Sequence, residues 1–372
     1  MVKDNKLSFQ GQHIYVGIDT GKKSWTVTIL TEQLEHKTFS QQPVPEILVS
    51  YLHKNFPEAH YKCAYEAGLF GFWIYETLTN LGVDCIVVHP ADIPTKDKER
   101  RNRNDSVDSR KIAKNLRNGD LTPLHIPSRQ SQEDRSLVRM RITMVNKQTR
   151  CKNQIKGFLS YYGITIPDEL SNSHWSNKFI CWLESLKENL EASHKADHKA
   201  GLCLEYDSGK KALGVLLSEL RYLRSAIAQL TKDIRHLSGQ NPYSDFVGYL
   251  NSVPGISTTT AMVFLTELDD ITRFKNLDHL ASYVGLIPGE DSSGDKELHT
   301  GVSKRRNANL RYLLIESSWI AVRKDPALLK SYTELTKRMP KNLAIIRIAR
   351  KLLSRIQYVL KNRCYYESGV VS

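Results

Sequence analysis

The chain has 372 residues, with 53 Lys plus Arg against 40 Asp plus Glu and a net charge of +13; it is long enough for two or three domains with their own cores, and its charge points to a polyanionic partner. No apolar run is long enough to span a membrane, the start MVKDNKLSFQGQ lacks a signal-peptide core, and the six cysteines show no CxxC pair or metal-ligand spacing. These features set aside a membrane protein and a disulfide-stapled secreted domain, leaving a cytoplasmic, nucleic-acid-directed protein with reduced thiols.

Ile14 to Asp19, IYVGID, is a short apolar strand ending on an acid, and Trp25 to Leu30, WTVTIL, alternates as its antiparallel neighbour across the turn at Thr20, Gly21 and Lys22. Helical spacing from Val44 to Phe56 leads to His60–Glu66, HYKCAYE, a second strand ending on an acid, broken by Gly68 and Gly71. A helix to Leu81 and the apolar strand Val83–Val88 follow, stopped by His89 and Pro90. Strands first in a hairpin and then alternating with helices predict a mixed sheet with helices on its faces. Acids that end apolar strands keep charge beside a core, and neighbouring strand ends bring Asp19 and Glu66 together.

From Lys96 to Arg117 a run of lysines and arginines contains Asp105 and Asp108, three residues apart. A helix beginning near Ser106 puts both carboxylates on one face while Ile112, Ala113 and Leu116 pack inward. Adjacent carboxylates raise a pKa or recruit a cation, and magnesium suits oxygen ligands that also hold phosphate. A lone DxxD is more often a solvated helix start with acids at its N-terminus than a metal site; it is the four acids jointly that favour a metal.

Arg129–Tyr162 is polar and basic, with Leu137, Met140, Met144, Ile155, Phe158, Leu159 and Tyr162 at loosely helical spacing, and predicts a long exposed helix. Residues 171–207 are mixed, and their pair His194 and His198 reads as a solvated face. Leu216, Leu220, Leu223, Ile227, Leu230, Ile234 and Leu237 then form a heptad seam. Its partner is either the Arg129 helix of the same chain or the same helix of another subunit. In LNSVPGISTTTAMVFLTEL, Pro254 and Gly255 separate two apolar helical stretches. This is an ordinary αα-hairpin or a helix-hairpin-helix whose backbone N–H groups at Gly255 hold a DNA phosphate. The end, through LAIIRIARKLLSRIQYVL, is an amphipathic helix with a basic face.

The pieces GIDTGKKSW, YEAGLFGFWIYETL, VVHPADIP and NRNDSVDSRKIAKNLRNGDLTP, in this order and spacing, resemble the N-terminal domain of the insertion-sequence-110 family of transposases, which includes Piv-type DNA invertases. LASYVGLIPGEDSSGDKELHTGVSKRRNANLRYLLIESSW resembles that family's C-terminal transposase domain. The resemblance implies a RuvC-like domain of the RNase H superfamily, whose Asp-Glu-Asp-Asp tetrad falls on Asp19, Glu66, Asp105 and Asp108 and binds magnesium. Ser109 stands where the family has a small residue, a change expected to matter little. The resemblance also implies a serine nucleophile, on Ser293 rather than Ser292, in a Ser-Ser-Gly loop that attacks DNA phosphate and forms a phosphoserine link. Lys304, Arg305, Arg306 and Arg311 downstream suit a grip on that phosphate.

The expected architecture is therefore α/β plus α: a RuvC-like domain over 1–127, a helical coiled-coil and oligomerisation region over 128–240, and an all-α transposase domain over 241–372. The expected function is a DNA recombinase that moves its own element, with an invertase or a RuvC-like Holliday-junction nuclease as alternatives. Positive charge in Lys96, Lys98, Arg100, Arg101 and Arg103, in Arg135–Lys156 and in Lys304–Arg311 suits phosphate backbones better than base edges. The family's use of a structured guide RNA, and of its coiled coil, implies an RNA partner and a dimer or tetramer, in the bacterial cytoplasm at the nucleoid.

Overall fold

A computed structural model describes residues 9–94, 104–171, 175–188, 204–293, 296–302 and 306–368. Contacts divide the chain into two units, Met1–Ile126 and Pro127–Ser372.

The first unit holds one sheet of β1 (His13–Thr20), β2 (Trp25–Leu30), β3 (Glu35–Gln41), β4 (His60–Glu66) and β5 (Asp84–Val88), in the order β3-β2-β1-β4-β5. The β1–β2 and β2–β3 pairs are antiparallel, while β1–β4 and β4–β5 are parallel. This is the expected mixed sheet, consistent with a RuvC-like domain. β3 is an addition to the expectation: its sequence EHKTFSQ is largely exposed, as an edge strand with a single neighbour can be, and it lacks the apolar alternation that marks β1 and β2.

Period-two alternation sorts the sheet's side chains onto two faces. Ile14, Val16 and Ile18 join Trp25, Val27, Tyr61, Cys63, Tyr65 and Val87 in one buried cluster, with α1 (Pro45–Asn55) and α2 (Trp73–Asn80) packed against them. On the opposite face Ala64 and Val88 meet Ile112 of α3 (Asp105–Asn118). The α3 helix is sharply bounded: the Asn104 side chain accepts from Ser106 N at 3.1 Å, and Gly119 closes it in the left-handed region at φ 78°.

In the second unit α4 (Arg129–Tyr161) and α6 (Asp207–Ser238) are each about 50 Å long at 1.5 Å per residue. They run antiparallel, since Arg141 donates to Thr231 and Cys151 to the Leu216 carbonyl. The heptad seam therefore finds its partner within the chain. Leu217, Leu220 and Leu223 pack with Cys151, Ile155 and Leu159, and α5 (Asn177–Glu188) closes this end through Phe179 and Leu183. At the other end Ile234 and Val138 enter the larger core. Ile227 and Leu230, between the two clusters, are only half-buried. The Arg129 helix is thus half-buried along one side, and His194 and His198 lie outside the described residues.

The larger core gathers α7 (Ser244–Ser252), α8 (Thr258–Leu268), α9 (Leu277–Val284), α10 (Ala308–Lys324), α11 (Pro326–Thr336) and α12 (Lys341–Asn362). The α12 helix buries Ile345, Ile348, Leu352, Ile356 and Leu360, a stripe stepping by three and four. The C-terminal part is not all-α as expected: β6 (Pro288–Ser293) and β7 (Lys296–Val302) form an antiparallel hairpin between α9 and α10. The last described pair of the hairpin is Ser293 with Lys296.

Candidate active site

The acidic site is built by strand alternation and one close helix approach. Ile18 pairs with Tyr65 in the parallel register, so Asp19 and Glu66, one residue on in each strand, stand side by side at adjacent strand ends. Both follow the alternation that places Gly17 and Ala64 on the α3 face of the sheet. Gly17 sets how near α3 comes: a Cβ there would stand 2.1 Å from Ser109 O and 2.4 Å from Ala113 N. Only a glycine lets the helix lie this close, and its first turn then carries Asp105 and Asp108 over the strand ends.

Electrostatics join the four acids. The Asp19 carboxyl is pushed up to about 6, first by burial and then by the charges of Asp105, Asp108 and Glu66; Lys111 acts in the other direction. Lys111 was not singled out by sequence. Its ammonium lies 3.0 Å from Asp108 Oδ1 and 3.9 Å from Glu66 Oε1, with its side chain only 11% exposed. The available signal was its position one turn beyond Asp108, on the same helix face.

Ser109, which stands where the family's usual small residue is expected, occupies a tightly packed position. It is wholly buried, and its hydroxyl bonds Thr28 Oγ1 at 2.8 Å, tying α3 to β2. A larger side chain there would lift the helix off the sheet, and a purely apolar one would remove the tie to β2, leaving the Thr28 hydroxyl with Thr38 Oγ1 at 2.9 Å.

Among the described residues no three His, Cys, Asp or Glu side chains form a finished ligand set for a metal. The donor chemistry nevertheless suits a hard divalent cation. Asp19, Glu66, Asp105 and Asp108 offer carboxylate oxygens alone, they repel one another, and an ammonium already stands between two of them as a cation would.

In the second unit Ser292 and Ser293 end β6 rather than sitting in a loop, next to the hairpin connection. Arg306 and Arg311 flank the start of α10, and burial followed by the Arg306 charge lowers the Arg311 guanidinium from its usual value. Lys96, Lys98, Arg100, Arg101, Arg103, Lys304 and Arg305 lie outside the described residues. Gly255 has a structural reason of its own. At φ +87° it turns the chain between α7 and α8, and a Cβ would meet the Ser317 carbonyl of α10 at 2.3 Å. Ser257 caps α8 by accepting from Thr260 N at 3.2 Å. The charge of Arg135–Lys156 is also divided: Arg135 and Arg139 reach inward to Thr266 and Glu267 of α8, and Arg141 reaches α6, while Lys147, Arg150 and Lys156 are exposed.

Comparison with known proteins matches family models over two stretches of the chain. A DEDD-type transposase family model of the IS110 group matches residues 16–164, a span containing all four acids. A second model, described as transposase IS116/IS110/IS902 family, matches residues 247–334, which include Gly255, Ser293 and Arg311. Over 367 residues the chain is 27% identical to a putative transposase, y4rJ, of Sinorhizobium fredii, covering 91% of this chain and 90% of the relative. It is 27% identical over 299 residues to the transposase for insertion sequence element IS1111A of Coxiella burnetii, covering 79% and 76%. With another Sinorhizobium fredii putative transposase, y4qE, identity is 30% over 262 residues, and the chain spans 58% of that relative's length.

Proposed function

This chain belongs to the IS116/IS110/IS902 family of transposases, and from that premise we propose that it is the recombinase of a mobile element, cutting and rejoining DNA through an acidic metal site and a serine nucleophile. The observation that carries this reading is the convergence of Asp105, Asp108 and Glu66 on Asp19, each charge raising its pKa. Asp19, Glu66, Asp105 and Asp108 would hold a divalent cation, magnesium by its preference for oxygen ligands near phosphate. Bound there, it would offset charge on a DNA phosphate and polarise the phosphorus–oxygen bond.

The chain's own residues do the rest. The Ser293 hydroxyl attacks phosphorus, a phosphoserine ester forms, and the displaced DNA oxygen leaves carrying a proton. The reverse attack by a DNA hydroxyl breaks that ester and frees the serine, so the phosphoester bond is conserved and no outside energy source is needed. Arg306 and Arg311 supply positive charge for the phosphate under attack, and Lys304 and Arg305 precede them in sequence.

Target choice in this reading is shared with a structured RNA. Lys147, Arg150 and Lys156 on the exposed side of α4 suit backbone contacts rather than base reading. Site-specific recombination by RNase-treated protein on naked DNA, with no discrete RNA co-purifying, would remove the RNA from the proposal. The central test is a suicide substrate. Wild-type protein should form a covalent protein–DNA adduct dependent on a divalent cation, and both the Asp105→Asn/Asp108→Asn double variant and Ser293→Ala should lose it while still binding DNA. Cleavage without any adduct would mean that water is the nucleophile and that the protein is a nuclease.

A further inference from the structure

Glu267 is almost fully buried near the end of α8, in a run where every residue from Ala261 to Leu268 is buried. Its two oxygens receive a fork from Arg139 of α4, Nε to Oε1 at 2.6 Å and Nη2 to Oε2 at 2.7 Å, and Asn307 donates to Oε2 at 2.8 Å. Its backbone carbonyl accepts from the Tyr283 hydroxyl at 2.9 Å. Burying a charge and then pairing it is at best even with an apolar core of the same volume, so stability alone gives little reason for a glutamate here. The location of its partners gives a better one.

Tyr283 is in the last turn of α9, five residues before β6 begins at Pro288, and Asn307 is five residues after β7 ends at Val302. Asn307 also caps α10, its Oδ1 accepting from Leu310 N at 3.2 Å, and its backbone N donates to Tyr283 O at 3.0 Å. The two stems of the hairpin therefore meet on one residue, the Asn307 side at the Glu267 carboxylate and the Tyr283 side at its backbone carbonyl, and the carboxylate is fixed to the long α4 helix.

We propose that Glu267 is a positioning residue of strand exchange: through Tyr283 and Asn307 it holds the two stems of the β6–β7 hairpin in fixed relation, and thereby sets where Ser293 stands. The proposal rests on the serine reading above. A displacement of about 1 Å in a reacting group is enough to cost a hundredfold in rate, so a loosened stem slows chemistry without weakening DNA binding.

The discriminating variant is Asn307→Ser, because serine still caps α10 but does not reach Glu267, leaving the Arg139–Glu267 pair intact. Glu267→Gln removes the charge at the centre. In the full-length protein, Asn307→Ser should form the suicide-substrate adduct on the order of tenfold to a hundredfold more slowly, at unchanged DNA affinity. Hydrogen exchange should accelerate in the peptide spanning residues 286–303 and not in α12. Glu267→Gln should do the same more strongly. Wild-type adduct rates with wild-type hairpin exchange in both variants would overturn the proposal, as would faster exchange spread evenly over the whole second unit. Adduct retained by both Ser292→Ala and Ser293→Ala would instead sink the serine reading, and is told apart because Glu267 is intact in those proteins.

Discussion

Asp19 at the end of β1 and Glu267 near the end of α8 are both carboxylates carried out of bulk water, yet Asp19 is pushed up to about 6 while Glu267 is held below its ordinary value of 4.5. Burial raises both; what differs is the company. Around Asp19 stand three more acids and one lysine, whereas Glu267 receives a forked arginine and an asparagine N–H. The bonds and charge of Arg139, with Asn307, reverse the effect of burial at Glu267. One site has unspent negative charge and gains by taking a cation. The other is already satisfied and serves as a fixed point.

The comparison is sharpest when the same chemical change is made at both places. Asp19→Asn should reduce recombination by about a thousandfold or more, since it removes a ligand charge from the transition state. It should also make the metal-free protein more stable at neutral pH. The sign follows from the raised pKa: ionising Asp19 costs stability as pH rises from 3.8 through about 6, and the whole cost is present above that. Discounted for the solvent that reaches a half-buried group, the gain is about 1–2 kcal/mol. It should fade in melts below about pH 4. A metal-free Asp19→Asn protein no more stable than wild type at pH 7.5 would break the contrast from the acidic side.

Glu267→Gln should act in the opposite direction, lowering stability by about 1–2 kcal/mol, because it breaks the charged fork between buried Glu267 and Arg139, whose own side chain is 51% exposed and keeps its hydration. Here the pKa is depressed. The stabilisation is complete above the ordinary value of 4.5 and is lost as pH falls below it toward the folded-state value. Urea titrations of wild type and Glu267→Gln should therefore differ most at neutral pH and converge in acid. A difference independent of pH would show that shape rather than charge does the holding.

Sequence foresaw one of these sites and missed the other for a physical reason. Asp19 and Glu66 end apolar strands, and Asp105 and Asp108 open a helix, so type and position alone mark them. Gly17 was legible only as part of a motif; its role depends on how near α3 passes, which no spacing reports. Ser109 is defined by a partner far away in sequence, Thr28, and Lys111 by one near, Asp108, and one far, Glu66. Glu267 did leave a trace, a lone acid in AMVFLTEL where apolar residues cover every helical face. Such an acid must be buried, and a buried acid must have a partner. The hairpin escaped because GEDSSG and KELHTG are polar, and its pairing comes from cross-strand register rather than from apolar alternation.

Lys111 gives a smaller test of the same contrast. If it stands in for a cation, Lys111→Met, which keeps the apolar stem and drops the charge, should lower metal-free stability by about 1 kcal/mol. Saturating magnesium should restore it to the wild-type level. Melting curves with and without the ion suffice, and an unchanged metal-free melting temperature would leave Lys111 as a surface ion pair of no consequence.

The last test lies in the middle of the long helical hairpin, and it bears on self-association. Leu223 is buried against α4, so a charge there would damage the fold of one chain and say nothing about assembly. Leu230, with Ile227 one turn away, is half-buried between the two packed ends, where apolar surface continues the seam outward without filling either core. The self-association expected from the heptad is therefore tested at this point. Leu230→Glu should lower the stability of the monomer less than Leu223→Glu does, because Leu230 is only partly covered, yet lower the mass seen in light scattering. Leu223→Glu should instead unfold the hairpin. An unchanged mass for Leu230→Glu would confine the seam to its role within the chain, and unfolding of both variants alike would mean that Ile227 and Leu230 are part of one continuous core.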